Sequence, residues 1–383
     1  MTNKLLYIHA APIDGLAANS VQVLSMCQSF AKLGLDVTLA VPVGASELSE
    51  EELKRAIEKK MGAYPLFSVT TFRQRLIFGR GKLLSCYLPA RRLIAKLKPD
   101  LIFLRNVVLV HAAIASNVPF IYESHNSLMH DSSSLLNILW TKYIVRVSNN
   151  ALMKKFIAIS GALGDFWINQ GIAEHRVLSV HDGFDQAMFN EQLSVEEART
   201  VLKMPLSDKT VLYVGSLYRD RGIEDIIFLA SKLPEIKFRI VGGPDAEKAR
   251  YIKLASVGNV ENIEFLGSIE HSEVPTYLFS SDILLMTWSS AVKTIEYCSP
   301  LKLFEYMAAG RIIVGHGFRT IREVLVDGED SYLADPESRD ELLKQLTRAI
   351  ADDSPLFGDR ARAKAFGEYS WDRRAGLIMA SIA

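Results

Sequence analysis

The sequence predicts an α/β protein of two doubly wound, Rossmann-like domains, and three observations carry that prediction. Short apolar runs alternate with helical stretches, the pattern of parallel strands joined by right-handed crossovers. The rhythm breaks once, between Asp182 and Ser207, and then restarts. The chain has 383 residues, 49% of them hydrophobic and 23% charged. That is too long for one ordinary core and suits two domains of similar size.

In the first half, Leu5–His9 reads as a strand, and a loop follows over Ala10–Ala18. Asn19 or Ser20 can cap a helix with Val21, Leu24, Cys27, Gln28 and Ala31 at helical spacing, closed by Gly34. Val37–Val41 is the second strand, and Glu47–Lys60 a charged helix. Pro89–Leu97 is helical, Leu101–Leu104 a strand, Val107–Ser116 a helix and Phe120–Glu123 a strand. A long helical stretch lies within Leu135–Lys155, before the strand Phe156–Ile159, the helix Gly161–Gln170 and the strand Val177–Val180. The polar segment from Asp182 to Ser207 closes with Pro205, and the interdomain linker belongs in its first part. The second half repeats the pattern. Strands are expected at Val211–Val214, Phe238–Val241, Ile263–Leu266, Ile283–Met286 and Ile312–Val314, with helices at Glu224–Leu233, Ala246–Val257, Pro275–Phe279 and Ser299–Ala309. A last helix covers Asp372–Ile382 and need not belong to the second domain.

Lys+Arg and Asp+Glu are both 44, so charge gives no general argument for nucleic acid as a partner. Cys27, Cys86 and Cys298 are far apart and form neither a metal pattern nor a disulfide framework, which fits a reducing compartment. The N-terminus enters a strand-like run too short for a signal peptide. No apolar run approaches the ~20 residues of a spanning helix. A cytoplasmic protein with no metal and no cofactor is the expectation.

Ligands of such folds bind at the carboxyl ends of the strands, here in a cleft between two facing sheets. Four loops and one helix start are candidates. Val214–Gly222 carries Gly215 and Gly222, which permit close backbone approach, and Arg219 and Arg221, which can pair with phosphate oxygens. The alternative is a solvated loop with Asp220 neutralising one arginine. Gly242-Gly243 follows another strand, and Gly267-Ser268-Ile269 a third, where exposed backbone can meet a flat base. Either is equally a plain turn. His125 lies just past a strand end among polar neighbours, with a satisfied core or surface histidine as the alternative; the same holds for His9. The helix over 299–309 is expected to be N-capped by Ser299, with Pro300 first and Gly310 at its end. Its free N–H groups near Leu301 and Lys302 can form an anion site, and Glu305 lies one turn inside, able to accept from sugar hydroxyls; the alternative is a core helix with a good cap.

In order and spacing, Val211–Gly222, Gly242-Gly243, Asn262–Gly267 and Ser299–Gly310 resemble the retaining glycosyltransferases of family four, which have the GT-B fold. So do Asp182-Gly183-Phe184-Asp185, Glu323-Val324-Leu325, Asp327-Gly328, Ser331-Tyr332-Leu333 and Tyr369-Ser370-Trp371-Asp372. The resemblance covers nearly the whole chain and is densest over residues 176–375. It implies an acceptor domain over residues 1–187 and a donor domain over 188–369, with residues 370–383 crossing back to the first. It also implies transfer of a sugar from a nucleotide sugar to an acceptor hydroxyl, with retained anomeric configuration and no metal.

By the same resemblance Glu305 binds the donor ribose, Arg221 holds the diphosphate, His125 lies near the transferred sugar, and backbone at Ser299–Lys302 contacts phosphate and sugar. Three features depart from the family pattern. Tyr297 stands where the first glutamate of the Glu-x7-Glu motif belongs, and Ser216 stands for the usual arginine, so Arg219 is expected to share the phosphate role. The N-terminal Gly-Gly loop is reduced to Asp14-Gly15-Leu16, with Gly15 as its sugar-side glycine. The Ser-Pro-Leu-Lys form of the motif also occurs in bacterial polysaccharide enzymes of this type and is not read as loss of function; a glycan or lipid-linked acceptor is the expectation.

Arg73–Lys82, and Lys142, Arg146, Lys154 and Lys155 among Trp140, Tyr143, Ile144 and Val147, can lie on an anionic membrane surface or be solvated faces. The rival functions are a sugar-nucleotide-binding subunit without activity of its own and a GT-B nucleotide-sugar epimerase.

Overall fold

A computed structural model of the chain describes residues 3–13, 18–43, 48–73, 84–127, 135–292, 294–336, 338–352 and 354–383. Gly15 and most of the basic stretch Arg73–Lys82 lie outside the described residues. The chain forms two compact units, Met1–Asp182 together with Trp371–Ala383, and Gly183–Ser370.

The first unit is a 7-stranded parallel sheet. Its strands are β1 (Lys4–Ile8), β2 (Asp36–Pro42), β3 (Ser68–Phe72), β4 (Leu101–Leu104), β5 (Phe120–Ser124), β6 (Met153–Ala158) and β7 (Val177–Ser179). They lie in the order β3-β2-β1-β4-β5-β6-β7. β4 and β5 are buried along their whole length, as a sheet covered by helices on both faces requires. β3 has no counterpart in the sequence reading. It is an edge strand, buried only at Phe72, so its Ser-Val-Thr-Thr run lacks the apolar signal of an inner strand.

Three sequence expectations change here. The helix Ala18–Lys32 begins before Asn19 and Ser20, which therefore sit inside it rather than capping it. The charged helix is Glu50–Met61, opened by a capping box in which Ser49 and Glu52 bond reciprocally. The helix expected within Leu135–Lys155 is Leu135–Ser148, but the strand expected from Phe156 already begins at Met153. There Met153 is buried and Lys154 exposed, and Phe156, Ile157 and Ala158 are buried in succession, as in a strand covered on both faces.

The second unit is a 6-stranded parallel sheet. Its strands are β8 (Thr210–Val214), β9 (Lys237–Val241), β10 (Ile263–Gly267), β11 (Ile283–Met286), β12 (Ile312–His316) and β13 (Tyr332–Ala334), in the order β10-β9-β8-β11-β12-β13. The strand order reverses beside β8, so the crevice for a ligand opens past the ends of β8 and β11. One side of the sheet packs on a core containing Leu303, Phe304, Tyr306 and Met307 of the helix Leu301–Ala309.

The segment after Asp182 is not an open linker. It holds two short helices, Gln186–Phe189 and Val195–Leu202, capped by Asp185 and Ser194. The division falls at Asp182/Gly183, before the expected 187/188, because Phe184 and Phe189 are buried in the second core. The backbone N–H of Phe184 donates to Tyr369 O at 3.1 Å, which ties entry and exit of this unit together.

The last helix, Trp371–Ala380, belongs to the first unit. It packs on Ala18–Lys32, where Ser29 Oγ donates to Asp372 Oδ1 at 2.6 Å and Lys32 Nζ pairs with Asp372 Oδ2 at 2.9 Å. The two doubly wound sheets and the returning helix are the architecture that the sequence predicts.

Candidate functional site

Three glycine turns meet at the carboxyl edge of the second sheet. Gly215 N donates to Val241 O at 2.9 Å, Leu217 N to Gly243 O at 2.7 Å, and Gly242 N to Gly267 O at 2.8 Å. The loops after β8, β9 and β10 are thus laced into one backbone floor. Gly242, at φ 145, is required there: a Cβ on it would stand 1.7 Å from Gly215 O. A Cβ on Gly243 would stand 2.5 Å from Ser268 Oγ, so Ser268 closes over the second turn. Ile269 packs its side chain against the core. What this turn offers a planar group is therefore the backbone at Gly267–Ser268.

The loop after β8 is pinned to the segment after β11. Thr287 Oγ1 donates to Arg221 O at 3.2 Å, and Ser289 N to Asp220 O at 3.0 Å. Gly222, at φ 75, opens the helix Ile223–Lys232 pressed against Thr287, whose Cβ a side chain at 222 would meet at 2.6 Å. Arg219 is exposed and Arg221 half-buried. Among the described residues Asp220 makes no ion pair with either, and two arginines against one carboxylate leave the loop positive. Ser216 turns its carbonyl toward Tyr213, whose hydroxyl donates to it at 3.0 Å.

The helix beyond starts one residue later than its sequence implied. It spans Leu301–Ala309 with Pro300, extended at φ −79 and ψ 125, in the N-cap position and no side-chain cap. Ser299 is buried ahead of it. Proline has no N–H and no capping side chain, so the first N–H groups from Leu301 are left for other partners. Gly310, at φ 67, ends the helix as expected.

Lys302 runs back between two rings, its Nζ 4.1 Å from the centre of Tyr213 and 4.2 Å from that of Trp288. The ammonium arrives beside Gly215, 3.4 Å from where a Cβ would be. Burial, and then the charge of Arg221, hold its pKa well below the ordinary lysine value. One turn further, Glu305 Oε1 lies 2.8 Å from His271 Nε2, with only 13% of the Glu305 side chain exposed. Tyr297, in the place of the missing glutamate, is half-buried in a turn where its N–H donates to Thr294 O at 3.0 Å.

Sequence reasoning missed three members of this arrangement. Trp288 and Tyr213 sandwich the lysine, and His271 meets Glu305. Trp288 and His271 belong to no motif, and Tyr213 lies in the Val211–Gly222 motif only as a strand residue, so their roles emerge where the strand ends meet.

In the first unit, His125 stands at the end of β5 in a tight charge cluster. Its Nε2 is 2.6 Å from Glu123 Oε1 and 2.7 Å from Arg105 Nε; its Nδ1 is 3.1 Å from Arg105 Nη2. Glu123 is fully buried and also accepts from Arg374 Nη2 at 2.8 Å and from Gln22 Nε2 at 3.4 Å. Gln22 Nε2 donates to Asp182 Oδ1 at 2.5 Å. Burial opposes the charge of Glu123, but Arg374, His125 and Arg105 hold it ionised well below the usual carboxylate range. Burial, then Arg105, lowers His125 to about 4. Burial, aided by Glu123, raises Asp182 to about 7. His9, at the end of β1, is lowered to about 3 by burial, with Arg105 and His125 adding to the shift.

The comparisons agree with this architecture. A family model described as Glycosyltransferase Family 4 matches residues 20–187, and one described as Glycosyl transferases group 1 matches residues 194–370. The structure of the HepE protein of Anabaena with UDP and glucose is similar over 99% of both chains, at 17% identity and a TM-score of 0.75. Sucrose-phosphate synthase from Thermosynechococcus elongatus is similar over 99% of this chain and 98% of its own, at 15% identity and a TM-score of 0.77. A glycosyltransferase from Rickettsia africae matches over 100% of this chain and 98% of its own, at 14% identity and a TM-score of 0.76. No curated protein matches in sequence.

Proposed function

The chain belongs to the glycosyltransferases, joining a family 4 domain to a group 1 domain in the GT-B fold, and we propose that it transfers a sugar from a nucleotide-diphosphate sugar to an acceptor hydroxyl with retention of configuration. The observation that carries this is the convergence of Arg221, Lys302 and the start of Leu301–Ala309 on the glycine floor at the switch point of the second sheet. A diphosphate needs cations and backbone donors at close range, and this edge supplies both.

In this reading Gly242, Gly243, Gly267 and Ser268 receive the base and ribose side, with Ile269 as the wall behind. Glu305 accepts from the ribose hydroxyls, and His271 holds its carboxylate in place. Arg221 and Lys302 take the diphosphate, with Arg219 and Ser216 at its outer side and the Ser299–Leu301 backbone at its inner side. As the bond to the sugar breaks, charge grows on the diphosphate, and these groups stabilise it without reorganising. The leaving phosphate helps to deprotonate the acceptor hydroxyl on the same face, which retains configuration. His125 contributes from the first unit. Gly15 is kept as its sugar-side glycine on sequence grounds. No metal and no cofactor are assigned a part.

The Anabaena HepE structures hold UDP, UDP with glucose, and UDP-glucose, so uridine nucleotides are the first donors to try. The acceptor is read as a glycan or lipid-linked glycan of a bacterial cell surface, met at the inner face of the membrane. Among the described residues no helix is long and apolar enough to cross a membrane. The decisive experiment is a thermal-shift panel of the five common nucleoside diphosphates and their sugars. A marked shift with one base is expected; none with any would overturn the reading.

A further inference from the structure

Three neighbouring helices of the first unit, Tyr87–Leu97, Val107–Ala115 and Leu135–Ser148, hold five lysines and arginines and not one acidic residue. They are linked side by side. Tyr87 stacks on His111 with ring centres 5.7 Å apart, and Tyr143 Oη lies 3.4 Å from His111 Nδ1. Arg91 Nη2 also donates to Ala115 O at 3.4 Å. Arg91, Arg92, Lys96, Lys142 and Arg146 are all exposed, and among the described residues Arg92, Lys96, Lys142 and Arg146 have no acidic partner. The whole chain balances 44 bases against 44 acids, so the sign of this face is a local property. Lys154 and Lys155 stand apart from it: they lie in β6, and Lys155 Nζ donates to His175 O at 2.9 Å.

The same face exposes apolar side chains at one end. Leu88 is 55% exposed, Ile138 42% and Leu139 62%. Leu88, Arg91 and Arg92 follow helical spacing, as do Leu139, Lys142 and Arg146, so each helix shows one outward stripe of leucine and then cations. Helices that join parallel strands start at the carboxyl edge of the sheet, and the three apolar residues sit near their helix starts. They therefore lie toward the edge at which β5 delivers His125. Trp140 and Tyr143, half-buried and edge to face at 5.8 Å, stand beside them.

We propose that this face docks the protein on an anionic lipid surface, with Leu88, Ile138 and Leu139 entering the headgroup layer and the five cations pairing with lipid phosphates. Cations alone would suit any polyanion, but a nucleic-acid backbone gives exposed leucines nothing to bury against. An anionic bilayer takes both. Docking sets the His125 edge of the first unit toward the bilayer, where a lipid-linked acceptor presents its hydroxyl. That consequence rests on the proposed function; the docking itself does not.

The test is flotation of the full-length protein with vesicles of phosphatidylcholine, alone or with about one third phosphatidylglycerol. Binding is expected to the mixed vesicles only, and to be lost as salt rises from about 0.1 M to about 1 M and the screening length falls to about 3 Å. Lys142→Glu with Arg146→Glu is expected to weaken it at least about 25-fold, since each lost cation alone contributes about fivefold. Leu88→Gln with Leu139→Gln should weaken it at least about tenfold, because the exposed leucine surface no longer leaves water. Arg55→Glu with Lys59→Glu makes the same charge change on the helix Glu50–Met61, across the sheet from this face, because the strand order grows in opposite directions from β1. That control should stay within about threefold of wild type, its charges lying beyond a screening length from the lipid. All six positions are exposed, so each variant should keep the wild-type melting temperature. No binding to mixed vesicles overturns the proposal. So does an equal loss in the control, which would mean bulk charge, and so does full binding by the leucine variant, which would leave a site for any polyanion. The assay needs no donor. Vesicle binding without a nucleotide-induced thermal shift would leave the docking face and overturn the proposed function; nucleotide binding without vesicle binding would do the reverse.

Discussion

The hydroxyl of Tyr306 accepts the backbone N–H of Val214 at 2.7 Å. Val214 is the last residue of β8, at the point where the sheet parts. β11 pairs with β8 only at Val211 and Leu212, so the end of β8 has no strand on that side. Tyr306, fully buried on Leu301–Ala309, fills the gap. One phenol thus ties the helix that carries Lys302 and Glu305 to the strand that leads into Gly215.

Tyr306→Phe removes that acceptor and leaves a half-buried backbone N–H without a partner. A loss of about 1 to 3 kcal/mol is expected, measured by urea denaturation, with weaker nucleotide binding alongside. A stability change below about 0.5 kcal/mol, the range of an ordinary surface substitution, would contradict the role given to this contact.

Gly242→Ala places a methyl group 1.7 Å from Gly215 O, and backbone cannot move aside as a side chain can. The two turns must separate. The variant is expected to lose the thermal shift with nucleoside diphosphate, while Gly367→Ala, where a Cβ meets nothing within 4 Å and the backbone is not left-handed, keeps it. Equal shifts in both would show that the glycine floor does not hold the nucleotide.

Lys302 gives a pH prediction with a definite sign. Its pKa is depressed in the folded chain, by burial first and Arg221 second. Between that depressed value and the ordinary 10.5 the unfolded chain holds the extra proton, so this group makes stability rise with pH across that window. A diphosphate at the site favours the ammonium, so nucleotide binding there should take up a proton. Calorimetry in buffers of different ionisation enthalpy reads that uptake directly. Lys302→Met should abolish it; uptake that persists in the variant must come from another group.

Glu305→Gln keeps the shape and removes the charge that the ribose hydroxyls meet. Hydrogen bonds to a charged group contribute about 1.5 to 3 kcal/mol, so UDP should bind roughly ten- to a hundredfold more weakly. The loss should be smaller with the 2′-deoxy nucleotide. The same loss for both nucleotides would move Glu305 from ribose binding to a purely structural pairing with His271.

Arg221→Ala is expected to slow turnover by on the order of a hundredfold or more, the usual effect of losing one transition-state donor. Arg219→Ala, exposed and one turn of loop away, should cost less. The reverse order would exchange their roles.

Much of this protein is local and was legible as sequence. Val211–Val214 and Ile283–Met286 announce inner strands because a sheet covered on both faces needs unbroken apolar runs. Gly215, Gly242 and Gly267 stand out as glycines just past strand ends, and at Gly242 close backbone approach excludes a Cβ. Glu305 and Arg221 were found through ordered motifs. What escaped were features with no local signal. β3 is half-exposed, so its residues need no apolar pattern. Pro300 rather than Ser299 takes the N-cap position, which depends on backbone angles and not on residue preference.

Tyr306 on Val214, Lys302 between Tyr213 and Trp288, and Arg374 on Glu123 join residues far apart in the chain. Such contacts exist only once separate strand ends come together. The sequence by itself determined the strands, the glycine turns and the charges available to a diphosphate, because these follow from burial and backbone freedom within a few residues. Only the tertiary structure decided which charges are buried and which ring or carboxylate faces each one. Desolvation and pairing depend on distance in space, and the chain's order does not encode that distance.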